Sequence, residues 1–156
     1  MTRVPPPVLA LATVLVQRRL TGPKRPPGAG RKAAAVALTA ASVAIAGTAS
    51  TQFRRRGTTV DPIHPEKAEA LVTSGPNALT RNPMYVGMAG LVTAHTLWWG
   101  RWAAVVPAAA YIALIDRTQI AAEEVALSAK FGAEYDAYRS ATPRWLDRRS
   151  FALGGR

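Results

Sequence analysis

The stretch Met84–Ile115 reads MYVGMAGLVTAHTLWWGRWAAVVPAAAYIALI. Two apolar runs meet at Gly100 and Arg101, and Trp98, Trp99 and Trp102 bracket the break. Aromatic rings gather in this way where a chain crosses a membrane interface. The pattern predicts helices over 84–99 and 102–116, folded back as a tight hairpin with its tip at one membrane surface. Pro107 is expected to kink the second helix. Beyond Ile115 the helical pattern continues but turns polar, up to a stop at Gly132. A helix over 102–131 would be about 45 Å long at 1.5 Å per residue, so its second half should project into water.

Working outward, Ala33 to Phe53 has no charge over 21 residues. That is roughly 30 Å of helix, enough for a bilayer core. Its Ala, Ser, Thr and Gly content suits close approach to other helices in lipid. Val8 to Val16 is a shorter apolar run led by Pro5, Pro6 and Pro7, and it predicts a first helix over about 5–17. The expected fold is therefore all-α, a polytopic membrane bundle of about four spans, with 1–156 as a single domain. The net charge of +11 would suit nucleic acid. The cations sit instead at the ends of apolar stretches, as in Arg18-Arg19, Arg31-Lys32 and Arg54-Arg55-Arg56, which is a headgroup pattern. A nucleic-acid partner is not expected. The chain has no cysteine, and His64 and His95 stand far apart, so no metal site is expected.

Polar residues at the membrane thresholds are the candidates for chemistry. Pro83 removes a backbone donor and keeps Asn82 out of helix, which leaves Arg81 in an extended loop before the 84–99 helix. Its guanidinium suits a carboxylate or phosphate. Tyr85 follows in the first turn. An ordinary interfacial anchor pair is the bland alternative. At about 100° per residue, Asp116, Gln119 and Glu123 share a polar stripe, whereas Glu124 falls beside Ile120 and Phe131. A carboxylate on an apolar flank needs a partner. His95, about a turn from the Trp pair, reads as a neutral His bonded to a neighbouring helix. Pro65 to Leu71 suggests a short helix in the long polar segment 54–81, and 148–156 suggests a frayed end.

The order of pieces resembles a known superfamily. GTTVDP (57–62) and LVTSGP (71–76) precede RNPMYVG (81–87), and after the hairpin come Glu123-Glu124, FGAEYDAY (131–138) and Pro143-Arg144-Trp145. This resembles the isoprenylcysteine carboxyl methyltransferase and phospholipid methyltransferase superfamily of integral membrane enzymes, over roughly Gly57 to Leu146. The resemblance implies an S-adenosylmethionine-dependent enzyme whose cofactor site lies in a cytoplasmic tail, here about 57–146. It implies cofactor contacts at Arg81, Asn82, Pro83, Tyr85, Glu123 and Glu124. Arg139 or Arg144 would contact an anion of cofactor or substrate. Asn82 stands where the carboxyl methyltransferases have His, and Asn77-Ala78 stand where relatives carry an aromatic-basic pair.

The resemblance further implies a lipophilic small-molecule or lipid acceptor (carboxylate, amine or thiol) and a membrane location with the cofactor site toward the cytoplasm; the Ala- and Arg-rich composition suggests a bacterial source and hence an inner membrane. Four spans place both termini and the 54–81 segment on that side. They place the cations of 18–32 on the other, against the positive-inside rule. Other readings are a non-catalytic scaffold or sensor of the same fold, a membrane reductase of related architecture and a small multidrug-type transporter. No Gly-rich dinucleotide loop is present for the second. Only His95 could serve the third.

Overall fold

The structure is a computed structural model that describes residues 4–22, 27–57 and 68–152. Among these residues it is all helical. α1 spans Pro6–Thr21, α2 Ala29–Arg55, α3 Pro76–Leu79, α4 Pro83–Trp99 and α5 Trp102–Leu114. A π-helical turn, Ile115–Ile120, continues α5 into α6, Ala121–Phe131. α7 is Ala133–Ala141 and α8 is Arg148–Ala152. The part of GTTVDP beyond Gly57, His64 and the start of the expected 65–71 helix lie outside the described residues; Ala68 to Leu71 are not helical.

The expected helices are present, and the first two are longer than their apolar cores. α1 and α2 carry Arg18-Arg19 and Arg54-Arg55 in their last turns, where cations complement the helix dipole. Asn82 precedes α4 and Pro83 opens it. Gly100 closes it in the left-handed region (φ 59°) and donates its N–H to Thr96 O at 2.8 Å. That conformation favours glycine and turns the chain into α5. Gly132, at φ 51°, separates α6 from α7.

The four long helices alternate in direction. α2 packs along α4, and α1 packs against both α4 and α5. The α2–α4 seam is built from small residues. Ala35, Ser42 and Ala49 are the buried positions of α2, spaced by seven. A Cβ on Gly87 would lie 2.7 Å from both Ala46 Cβ and the Ser42 carbonyl oxygen. Such backbone approach is how helices associate where burial of apolar surface supplies no drive. The outer faces of α1, α2 and α5 leave Leu11, Leu15, Val36, Val43 and Val106 exposed. α2 is, among the described residues, the one helix long and apolar enough to cross a membrane by length and composition.

A buried polar knot ties α1 to the hairpin near its tip. Gln17 Nε2 donates to Thr96 Oγ1 at 2.7 Å and to Ala104 O at 2.9 Å. Trp99 Nε1 donates to His95 Nε2 at 2.8 Å, which leaves the proton on Nδ1, facing Gln17 Oε1 at 2.8 Å. An indole N–H can only donate, so the network fixes a neutral His95. Arg148–Ala152, in the segment expected to fray, is helical. Asp147 Oδ1 accepts from Arg149 N at 2.8 Å, and Ser150 Oγ accepts from Asp147 N at 3.0 Å. This reciprocal cap supports α8 within the segment expected to fray.

Gly87→Val should destabilise the protein by about 1–3 kcal/mol, because the Ser42 backbone opposite cannot yield. Gly47→Ala, which meets open space, is the matched control and should leave thermal unfolding in detergent unchanged.

Candidate active site

At the end of the bundle away from the hairpin tip, the loop before α4 is stapled to the segment after α7. Arg81 N donates to Pro143 O at 2.9 Å, Thr80 Oγ1 donates to Arg144 O at 2.8 Å, and Asn82 Nδ2 donates to the same oxygen at 3.0 Å. Asn82, the departure from the carboxyl methyltransferase pattern, thus hydrogen-bonds to the backbone of the tail.

The staple sets two guanidiniums on one carboxylate. Arg81 Nη2 lies 2.8 Å from Glu124 Oε1. Arg144 approaches the same group with Nε at 3.0 Å from Oε1 and Nη2 at 2.5 Å from Oε2. Arg144 Nη1 reaches on to Asp116, 3.2 and 3.3 Å from its two oxygens, and Trp145 Nε1 donates to Asp116 Oδ1 at 2.8 Å. Donating hydrogen bonds to the Glu124 carboxylate pushes the Arg144 pKa above its already high range. Arg81 and Glu124 are nearly buried, at 8% and 13% side-chain exposure. Arg81 Nε and Nη1 are buried without a well-formed hydrogen bond to the protein, the Tyr135 hydroxyl being the neighbour within reach, and Asn77 Nδ2 is likewise buried and unpaired. Buried unsatisfied donors in an otherwise paired cluster call for a ligand or water.

Glu123 belongs to a neighbouring group. It accepts from Tyr85 Oη, and Gln119 Nε2 lies 3.3 Å from its Oε1. Tyr135 and Tyr138, with ring centroids 6.2 Å apart, lie within electrostatic reach of Arg81. Burial pushes both phenols above their ordinary range, and Tyr138 keeps its proton to donate to Asn77 O at 2.7 Å.

The π turn explains a grouping that ideal helix geometry did not give. Asp116 and Glu124 are eight residues apart, about 80° out of line on an unbroken α-helix. A π turn takes in one extra residue, rotating the helix beyond it back by about 100° and bringing the two onto one face. Asp116 therefore shares Arg144 with Glu124 instead of sharing a stripe with Glu123.

Residues 31–134, two thirds of the chain, match the phospholipid methyltransferase family. The chain belongs to that family. An uncharacterized protein from Haemophilus influenzae is 40% identical over 63 residues, which cover 40% of this chain and all of that protein. No solved structure matches. Methyltransferase activity on lipid-like substrates is what the family suggests, and family and α2 together point to a membrane protein.

Within this phospholipid methyltransferase family chain, Arg81, Asn82, Pro83, Tyr85, Glu123 and Glu124 come together at one end of the bundle, all inside the matched region. Arg144 joins them from beyond it. Arg139 does not; it pairs with Asp136 at 3.7 Å on an exposed face of α7. Asp116, Gln119, Trp145 and Thr80 complete the cluster. The first two were marked by their polar stripe and Trp145 by its motif, whereas nothing in the sequence marked Thr80.

Removing Glu124 leaves two guanidiniums facing each other with little water. Glu124→Ala should cost about 3–5 kcal/mol, the range for breaking a buried pair. Asp116→Asn, with both partners about one third exposed, should cost about 1 kcal/mol or less. Thermal unfolding of the two variants beside the wild type checks this order.

Proposed function

We propose that the protein is an S-adenosylmethionine-dependent methyltransferase acting on a small lipophilic or lipid acceptor (carboxylate, amine or thiol) at the membrane interface. The observation that carries the reading is Arg81, a buried guanidinium clamped by Glu124, with Nε and Nη1 left without a well-formed hydrogen bond to the protein. A carboxylate fits those donors, and the cofactor carries one. Glu123, with Tyr85 and Gln119 against it, offers carboxylate oxygens for the hydroxyls or ammonium of the same molecule. The donor set therefore fits the cofactor. When bound, it would supply a methyl group on a sulfonium.

The residues of this chain contribute position. Methyl transfer needs nucleophile, carbon and leaving sulfur in line, and orientation of this kind is worth several kcal/mol, up to about 7–11 in favourable cases. The Arg81–Glu124–Arg144 clamp ties together three separate parts of the chain. No residue here is assigned as a base.

In this reading α1, α2, α4 and α5 are all spans, their exposed valines and leucines facing lipid. The positive-inside rule counts Lys and Arg. Among the described residues, five lie at the tip end, namely Arg18, Arg19, Arg31, Lys32 and Arg101. The other ten described ones belong to segments at the site end. The majority supports a cytoplasmic site, where the cofactor is found.

The test is calorimetric titration of S-adenosylhomocysteine into detergent-purified protein, beside Glu123→Gln and Arg81→Lys. Binding is expected for the wild type, weakened about tenfold or more, roughly 1.4 kcal/mol, in each variant. No binding by well-folded wild type would sink the cofactor assignment and favour a non-catalytic scaffold of the same fold.

A further inference from the structure

The hairpin-tip end of the bundle carries a second feature, remote from the clamp. A groove of about 510 Å³ runs between α1, α2 and α4, with walls that include Val14, Val36, Ala40, Leu91 and Trp98. From Leu91 to Trp98 it follows α4 for about 10 Å, at 1.5 Å per residue, toward the tip.

The rim is cationic on the same helix faces. Arg18 follows Val14 by four residues, Lys32 precedes Val36 by four, and Arg31 precedes Ala35, another wall residue, by four. Residues four apart stack on one face of a helix, so these cations stand one turn beyond the groove wall. The Arg31 guanidinium lies against Gly100 at the tip, and Arg18 is close enough to His95 to act on it electrostatically.

Among the described residues, this end also lacks carboxylates. No Asp or Glu precedes Asp61, and none lies between Glu69 and Asp116. The rim cations therefore have no acidic partner in their own segments. A largely apolar groove leading to unbalanced positive charge at headgroup level matches one class of ligand. We infer that this groove holds an acyl chain of an anionic phospholipid, with the headgroup phosphate on Arg18, Arg31 and Lys32. Basic pockets between membrane helices recognise such headgroups. The inference rests on the membrane reading of the fold and is independent of methyl transfer.

Its test is native mass spectrometry of delipidated, detergent-purified protein given phosphatidylglycerol or phosphatidylcholine with identical acyl chains. One phosphatidylglycerol should be retained about tenfold more strongly than phosphatidylcholine. The rim variant Arg18→Gln/Lys32→Gln should lose that preference. The variant Arg54→Gln/Arg55→Gln/Arg56→Gln, at the other end, should keep it. Val36→Trp, a change at a half-exposed position that fills the groove, should lose the retained lipid, with circular dichroism confirming its helices. Equal retention of the two lipids, a preference that follows residues 54–56, or unchanged retention in Val36→Trp would overturn the inference. So would a dimer whose formation excludes lipid. None of these readouts involves the adenosyl cofactor, so their failure is separable from failure of the methyltransferase reading.

Discussion

A single carboxylate organises the functional end of this molecule. Glu124 projects from α6 into a nearly water-free position, where an unpaired charge costs several kcal/mol. Its charge is met by Arg81 from the loop before α4 and by Arg144 from the tail after α7. The Arg144 contact is possible only if the tail folds back across the start of the hairpin. The backbone bonds between 80–82 and 143–144 follow from that closure. With Asp116 included, two cations face two carboxylates, so the cluster is balanced without a ligand. Its spare capacity is in hydrogen bonding: Arg81 Nε and Nη1 make no well-formed hydrogen bond within the protein.

The rest of the fold holds that end in place by two different means. Along α2 and α4, close backbone contact through Ser42, Ala46 and Gly87 provides dispersion without relying on hydrophobic drive. Near the tip, where α1 joins the hairpin, Gln17, His95, Thr96 and Trp99 satisfy one another's polar groups in a buried network. A network of this kind specifies register, because a shift by one residue strands several donors at once. Apolar packing of Tyr85, Val92, Tyr111 and Ile115 fills the space between.

The helices were legible in the sequence because apolar runs of span length have few other solutions, and the hairpin because Trp-Trp-Gly-Arg-Trp has both the breaker and the interfacial rings. Glu124's need for a partner was legible from its place on an apolar flank. Which arginine would answer was not, because Arg81 and Arg144 reach it only through tertiary closure. Arg139 and Arg144 looked alike in sequence, five residues apart, yet α7 carries the first outward to Asp136 and the chain after Thr142 carries the second inward. The four-residue helix α3 and the capped α8 escaped notice because helices that short depend on caps more than on periodicity.

The π turn at Ile115–Ile120 is the least legible feature and the one on which the cluster's geometry turns. Nothing in IDRTQI forbids an ordinary α-helix, and an i→i+5 turn is intrinsically rare. On an unbroken helix Asp116 would stand about 80° away from Glu124, too far for one guanidinium to serve both. Arg144 would then bind Glu124 alone, and the indole N–H of Trp145 would lose its acceptor. The extra residue in the turn is thus held by contacts made beyond it, from the tail. Local propensity on α5 and α6 is overruled by a charge balance completed more than twenty residues later. That dependence couples the end of α5 to the site: any rearrangement of the π turn must also move the carboxylates that hold Arg144, and through Glu124 the guanidinium of Arg81.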